Sequence, residues 1–374
     1  MLYPIIMAGG AGTRLWPIST KGKPKQVYPL LDNETLLQKT WKRLRRGFPA
    51  RNIVISTDAQ LADEVRRQIP DHTRGNLVIE PSRRGTAPAL GLALIKIWKH
   101  NPKAIFVYIN ADNYVQKEEE FLRLLAVAER AVRQKQDHTL LIGVNPTYPE
   151  TGYGYIKMGS QVMKFGTDEI FEVEKFVEKP DLKTARGFLK RWEYLWNPTL
   201  IVARADHFLS LYEKHLPKMW LGLTKIASAI DTPREAEVIR REFPKLPAET
   251  IDYGILEPAS RMGRKEAKML VLPGNFGWTD VGHWRAVHDI LQQSSLSKHS
   301  ASKGNICKAG KCLAVDSRGN LIYSLSGKLV ALAGVKNMIL IESENALLLC
   351  PRSRAQDVKK LVENLEKKGM KEYL

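Results

Sequence analysis

The sequence predicts an α/β protein: a mostly parallel, mixed sheet with helices on both faces, then a small β-rich domain closed by a helix. Three observations predict it. Short apolar, β-branched runs alternate with helix-length amphipathic stretches through the first half, the pattern of βαβ units. The run "AIFVYI" at 104–109 is apolar throughout, as expected of a strand buried on both faces. Beyond a polar stretch, "QSSLSKHSASKG" at 293–304, the pattern turns to closely spaced short β runs.

In chain order, strands are expected at 2–7, 53–56, 77–79, 104–109 and 139–144, with helices at 34–46, 59–68, 87–99 and 117–135. A more mixed region follows, with strands at 153–158, 170–177, 199–203 and 268–272 and helices at 181–192, 205–214 and 281–292. The tail carries β runs at 312–316, 321–324, 328–335, 337–342 and 345–349. Its closing helix has apolar residues at Val358, Leu361, Val362 and Leu365, the i, i+3, i+4, i+7 spacing of one face. The implied division is an α/β domain over 1–292, a linker over 293–304 and a β-rich domain with a closing helix over 305–374.

Composition narrows the function. With 374 residues, 44% of them hydrophobic, the chain can bury a sizeable core. Its apolar runs fall far short of the roughly 18 residues that span a bilayer. The N-terminus has neither a basic leader nor a small-residue cleavage pattern, so a cytoplasmic protein is expected. Three cysteines imply no disulfide framework, and the Cys307-x4-Cys312 pair reads as structural. The net charge of +18 points to nucleic acid or to a polyanionic small substrate. The only dense basic run, "KRLRR" at 42–46, falls late in a helix, where cations complement the dipole, and reads as a solvated face. Basic residues are not interleaved with aromatics of the kind that stack bases, which argues against nucleic acid.

The stretch "MAGGAGTRLWP" sets Gly9, Gly10 and Gly12 directly after the first strand. Such glycines let backbone N–H groups approach phosphate oxygens; a plain structural turn is the alternative. The spacing is neither G-x-G-x-x-G nor a P-loop. Arg14 can clamp phosphate oxygens bidentately, and Lys25 in "KPKQ" supplies a compact charge. Asp112 ends the buried strand, where open α/β sheets place their ligands.

Taken together, "MAGGAGTRLWP…KPKQ" resembles the signature of the sugar-nucleotide pyrophosphorylases, and its Leu-Trp-Pro ending resembles their mannose-1-phosphate guanylyltransferase branch. "EPSRRGTAPA" (80–89), "TGYGYI" (151–156), "FVEKPD" (176–181), "IDYGILE" (251–257), "GWTDVGHW" (277–284) and "CPRSRAQDVKKLV" (350–362) resemble the family in the family's order. The resemblance implies a three-layer, Rossmann-like nucleotidyltransferase fold. It implies GTP and mannose 1-phosphate as substrates, Mg²⁺ as cofactor, neither nucleic acid nor membrane as partner, and a homodimer. Residue by residue, it implies that Ala8, Gly9, Gly10, Gly12, Thr13 and Arg14 bind the triphosphate and that Lys25 meets the leaving pyrophosphate. Thr86, Ala87 and Pro88 lie near the base, and Asp112 and Asp280 hold the metal. Tyr153, Gly154, Glu178, Lys179 and Asn197 form the sugar-phosphate pocket.

Plainer readings stand beside these. "VEKP" reads as a strand edge before a turn, Asp112 and Asp280 as helix caps, and Tyr153 and Trp278 as core aromatics. The chain departs from the family pattern at Asn110 and Asn113 flanking Asp112, at Pro198-Thr199 after Asn197, and at Gly85 before "TAPA". These departures bear on the identity of the sugar and, less, of the base. The alternatives are a nucleotidyltransferase for another sugar 1-phosphate or NTP, and a non-catalytic relative that binds nucleotide sugars; a dehydrogenase fails on the glycine spacing.

Overall fold

The computed structural model describes residues 1–10, 12–20, 22–72, 74–262, 268–293, 300–301 and 304–374. The chain forms two compact units, neither continuous in sequence: Met1–Gly9, Thr40–Ala111 and Val115–Trp278 make one, and Gly10–Lys39, Asp112–Tyr114 and Thr279–Leu374 the other. The linker expected at 293–304 falls mostly outside the described residues.

The first unit is built on a nine-stranded mixed sheet. Its strands are β1 (Leu2–Met7), β2 (Val54–Asp58), β3 (Leu77–Glu80), β4 (Ile105–Asn110), β6 (Thr139–Val144), β7 (Gly154–Phe165), β8 (Asp168–Val177), β9 (Tyr194–Arg204) and β10 (Met269–Gly274), in the order β3-β2-β1-β4-β9-β6-β10-β8-β7. The short strands β5 (Asn113–Val115) and β11 (Trp278–Asp280) pair apart from it. The ladders β2–β3, β1–β2, β1–β4 and β6–β10 are parallel, and β9 is inserted antiparallel between β4 and β6. Side chains at Ile5, Ile6, Phe106 and Val107 are wholly buried, as a sheet covered on both faces requires. Helix Thr86–His100 packs ten buried residues against this core.

Two regions differ from the sequence expectation. Helices Pro217–Ala227 and Glu235–Glu242 fill a stretch where the sequence predicts none. The first buries Met219, Leu223 and Ile226 at i, i+4, i+7; no side chain caps its start, and Pro217 at its first position is the one local signal of where it begins. Strand β9 begins at Tyr194, not 199, and runs through Pro198. A proline in a strand normally ends its ladder; here the pairing with β6 shifts register between Ile142 and Val144, so the chain bulges at this point. Thr199 adopts φ 54°, which few β-branched residues do. The basic run at 42–46 is not merely solvated either: Arg43 is buried, donates to Glu118 and stacks over Phe121.

The second unit coils its C-terminal strands between two small sheets. β13 (Asn305–Lys308), β15 (Leu321–Ser324) and β17 (Met338–Glu342) pair in parallel, and β14 (Lys311–Val315) pairs in parallel with β16 (Leu329–Ala333). The larger sheet is flanked by antiparallel β12 (Ser300–Ala301) on β13 and β18 (Leu347–Pro351) on β17. Stacked asparagines brace the turns: Asn320 Nδ2 donates to Asn305 Oδ1 and to the Val335 carbonyl, each at 2.8 Å. Cys307 and Cys312 are joined by a disulfide, where the sequence implies no disulfide framework. Helix Val358–Lys367 closes the unit and buries Val358 and Val362, while Leu361 stays exposed. Residues 10–39 belong to this core: Leu15, Trp16, Leu30 and Leu31 pack with Trp284, Ile339 and Val358. Among the described residues no helix is long and apolar enough to cross a membrane.

Candidate active site

Two clusters of charged and polar side chains stand out, one in each unit. In the second unit, the chain leaves the glycine loop through Gly12, which sits at φ 59° with a short helical turn, Thr13–Leu15, behind it. A Cβ on Gly12 would lie 2.6 Å from the Ser19 hydroxyl and 3.2 Å from the Lys25 backbone nitrogen. Both the left-handed backbone and the close approach demand glycine there. The approach also brings Lys25 in. Its side chain is 8% exposed, and its ammonium lies 3.0 Å from each of Asp112 Oδ2, Asp280 Oδ1 and the Val281 carbonyl. Three N–H donors thus have three acceptors. Burial opposes the charge on Lys25, but the two carboxylates outweigh it and hold its pKa above the ordinary range. For Asp280, burial works toward protonation, and Lys25 together with Arg14 and His283 outweighs it, so its pKa is lowered. Arg14 stands 4.0 Å from Asp280 and is 43% exposed, open to an anion.

Asp112 follows the end of β4, and Asp280 ends β11, which pairs with β5. The helix-cap reading of the two aspartates does not describe them, since both point at Lys25. The pair suits a hard divalent cation: two carboxylates converge on one point, and a cation, the Lys25 ammonium, already lies there. Among the described residues no cluster of three or more His, Cys, Asp or Glu could hold a metal. A metal here would therefore complete its shell with substrate phosphate oxygens and water.

The other cluster lies in the first unit. Glu178 and Lys179 follow the end of β8, with Lys179 at φ 46°. The Lys179 ammonium donates to Glu178 Oε1 at 2.5 Å and sits 5.5 Å over the Tyr253 ring. Glu178 is 5% exposed, and its Oε2 is buried with no hydrogen-bond partner. Gly154, at the start of β7, makes room for that oxygen: a Cβ there would come within 2.5 Å of it. Asn197, on β9, donates from Nδ2 to Asp252 Oδ1 at 2.8 Å and accepts at Oδ1 from the Thr199 N–H at 3.0 Å. Tyr153 packs edge-on against Trp196 and Trp278, so the reading of Tyr153 and Trp278 as packed aromatics describes their contacts.

Thr86, Ala87 and Pro88 open helix Thr86–His100, and this first turn is tied inward. The Thr86 hydroxyl accepts the Ile251 N–H at 2.9 Å, and the Ala87 carbonyl accepts the Tyr212 hydroxyl at 2.7 Å. Gly85 in front of them has φ 89°, and a Cβ there would collide with the Glu249 carbonyl oxygen, which accounts for glycine at this position. Through Ile251 this turn fixes the segment that carries Asp252. Sequence reasoning assigns Asp252 no role, although "IDYGILE" contains it. Burial, then the charge of Glu178, push the Asp252 pKa up to about 7, with Lys179 and Asn197 opposing.

Comparison with known proteins gives the family. The Nucleotidyl transferase family model matches residues 3–295, and the MannoseP isomerase/GMP-like beta-helix domain model matches 310–365. The mannose-1-phosphate guanylyltransferase of Escherichia coli (strain K12) is 34% identical over 379 residues, covering 100% of this chain and 75% of that protein. The xanthan biosynthesis protein XanB of Xanthomonas campestris pv. campestris (strain B100) is 32% identical over 380 residues, 99% of this chain and 74% of its own length. A crystal structure described as a mannose-1-phosphate geranyltransferase from Thermus thermophilus superposes with a TM-score of 0.82 at 29% identity, over 98% of this chain and 99% of that one. Likeness that runs the whole length of the chain, in sequence and in fold, makes it a member of the nucleotidyl transferase family.

Proposed function

We infer that the chain transfers GMP from GTP to mannose 1-phosphate, giving GDP-mannose and pyrophosphate. The observation that carries this reading is the charge cluster of Lys25, Asp112 and Asp280 with Arg14 beside it, in a nucleotidyltransferase fold. An oxygen of the sugar phosphate forms a bond to the α-phosphorus of GTP. The bond from that phosphorus to the bridging oxygen breaks, and pyrophosphate leaves with the electron pair. The attacking oxygen is already anionic, so no side chain need take its proton, and catalysis rests on positioning and charge neutralisation.

Arg14 binds phosphate oxygens of the triphosphate, with backbone groups of Gly9, Gly10, Gly12 and Thr13. Lys25 takes up charge on the leaving pyrophosphate. Asp112 and Asp280 hold Mg²⁺, which supplies neutralisation of the α-phosphate when bound. Glu178 accepts hydrogen bonds from sugar hydroxyls, and Lys179 pairs with the sugar phosphate once its ammonium leaves Glu178. We assign the chemistry to residues 1–292, with 305–374 as a β-rich C-terminal domain with a closing helix, in a cytoplasmic homodimer.

The bulge at Pro198-Thr199 favours a second reading, a different sugar 1-phosphate in the same reaction, because it reshapes the backbone beside Asn197. The deciding experiment incubates the protein and Mg²⁺ with each of the four NTPs and a panel of sugar 1-phosphates and follows pyrophosphate release. Fastest release with GTP and mannose 1-phosphate is expected. Faster release with another pair replaces the substrates, and no release with any pair leaves a non-catalytic relative.

A further inference from the structure

We propose that this chain carries a second anion-binding site, for a small phosphorylated molecule, in a cavity walled by Arg285, Lys336 and Arg352. The inference goes beyond the transfer reaction and does not rest on it.

The cavity lies in the second unit and measures about 360 Å³. The three cations are its charged lining; Asn337 and Ser353 add polar groups, and no carboxylate lines it. The cations come from separate elements: Arg285 from the first turn of helix Trp284–Gln293, Lys336 from the turn before β17, and Arg352 from the residue after β18. Like charges gathered around one cavity repel, and an anion between them relieves the repulsion. Arginine forks bind phosphate oxygens bidentately, and a lysine ammonium adds a point charge. The volume falls in the range of small-molecule pockets, roughly 300–1,000 Å³, so it suits a phosphate that carries an organic body. The net charge of +18 also leaves cations that the transfer reaction does not use.

Little in the protein neutralises these charges. Lys336 is exposed, and among the described residues neither it nor Arg352 makes an ion pair. Arg285 has Asp289 at 3.6 Å, but the two side chains are 60% and 46% exposed, and such a pair is weak. Arg352 is oriented rather than neutralised. Its guanidinium lies 3.2 Å from the ring nitrogens of His288, which is wholly buried. His288 Nδ1 lies 3.1 Å from Asp289 Oδ1; it donates there, and Nε2 accepts from Arg352, so a neutral ring fixes the fork and leaves its charge for a ligand. The turn that presents Lys336 is fixed as well. The Asn337 carbonyl accepts the Arg352 N–H at 2.8 Å, and the Asn337 N–H donates to the Arg318 carbonyl at 2.9 Å. Asn337 holds φ 54°, which asparagine tolerates, and glycine at 319 makes room for it: a Cβ there would lie 2.5 Å from Asn337 Oδ1.

Inorganic phosphate is the probe. At constant ionic strength it is titrated by calorimetry into the unaltered protein, into the double variant Arg285→Met, Lys336→Met, and into Arg354→Met. We expect the unaltered protein to show a phosphate site whose affinity falls roughly tenfold or more in the double variant, because two charge-assisted contacts are gone. Pyrophosphate release measured without added phosphate should be the same in both. Arg354→Met removes a charge that pairs with Asp357 outside the cavity, and it should bind phosphate like the unaltered protein. Phosphate binding unchanged in the double variant places every bound phosphate elsewhere and overturns the site. An equal loss in Arg354→Met shows a diffuse effect of net charge and overturns it too. If the double variant melts far below the unaltered protein, Lys336→Met alone, an exposed position, is read in the same way. If the unaltered protein transfers no nucleotide, the transfer reading falls alone, and the phosphate titration still decides this one.

Discussion

Around Lys25 each charge has a counter-charge at bonding distance, and the ammonium's three donors are all used. Around Glu178, one ammonium pairs with Glu178 and feels the charge of Asp252 as well, a buried oxygen has no partner, and the backbone is held in left-handed conformations at two positions. The first cluster is balanced at rest, and a ligand would disturb it; the second is unbalanced at rest, and a ligand would complete it. Polyphosphate chemistry is generic across nucleotides, so a closed set of charges suffices. Telling one hydroxyl arrangement from another requires groups left unsatisfied until the right partner arrives.

The largest expected effect breaks the balanced cluster. Asp280→Ala removes one acceptor of a buried ammonium and one candidate metal ligand, so turnover should fall by orders of magnitude. The melting temperature should also drop, by the equivalent of about 1–3 kcal/mol, since a buried donor loses its acceptor. Pyrophosphate release and a thermal melt measure the two effects, and near-normal turnover would refute the role given to Asp280. Next, Lys25→Met should slow turnover by roughly 10²–10³-fold, the scale of a lost electrostatic donor. With the ammonium gone, Asp112 and Asp280 face each other uncompensated, and affinity for a divalent cation without nucleotide should rise. A Mn²⁺ titration reads this directly, and unchanged affinity would show that these carboxylates do not hold the metal.

The smallest effect sharpens the other side. The pKa of Asp252, about 7, is raised above its ordinary 3.8, so the folded state favours the protonated form. Its stabilising contribution is complete below pH 3.8 and is lost as the pH rises through about 7. The melting temperature of Asp252→Asn should therefore fall less than that of the unaltered protein between about pH 5 and 8. Parallel curves would place Asp252 in an ordinary carboxylate environment.

The balanced cluster is legible in the sequence because local rules mark it. Glycines after a strand, a Pro-Lys-Gln turn and an aspartate ending an apolar strand each read within a few residues. The unbalanced cluster is legible only in part. Glu178 and Asn197 fall just outside the strands expected at 170–177 and 199–203, and Asp252 meets Asn197, 55 positions away, at a π-helical turn that no periodicity announces. Pro198 is a valid stop signal, so the sequence pattern shortens strand β9, and only the register shift opposite it in β6 carries the strand past. The parallel β–helix alternation of 1–110 needs no such rescue, since its strands are apolar on both faces. The disulfide is invisible because a spacing of five residues says nothing about where two sulfurs point.

The packing of residues 10–39 against the C-terminal segment also sets an order of assembly. Trp16 donates its indole N–H to the Tyr373 carbonyl, 357 positions later, and accepts at its own carbonyl from Trp284. During synthesis at about 5–20 residues per second, the glycine loop would leave the ribosome roughly 20–70 s before Tyr373 does. The nine-stranded sheet takes no strand from the late segment and can form first. The glycine loop then waits for the last of its partners, so a nascent chain stalled before Tyr373 carries the loop's sequence without its finished core.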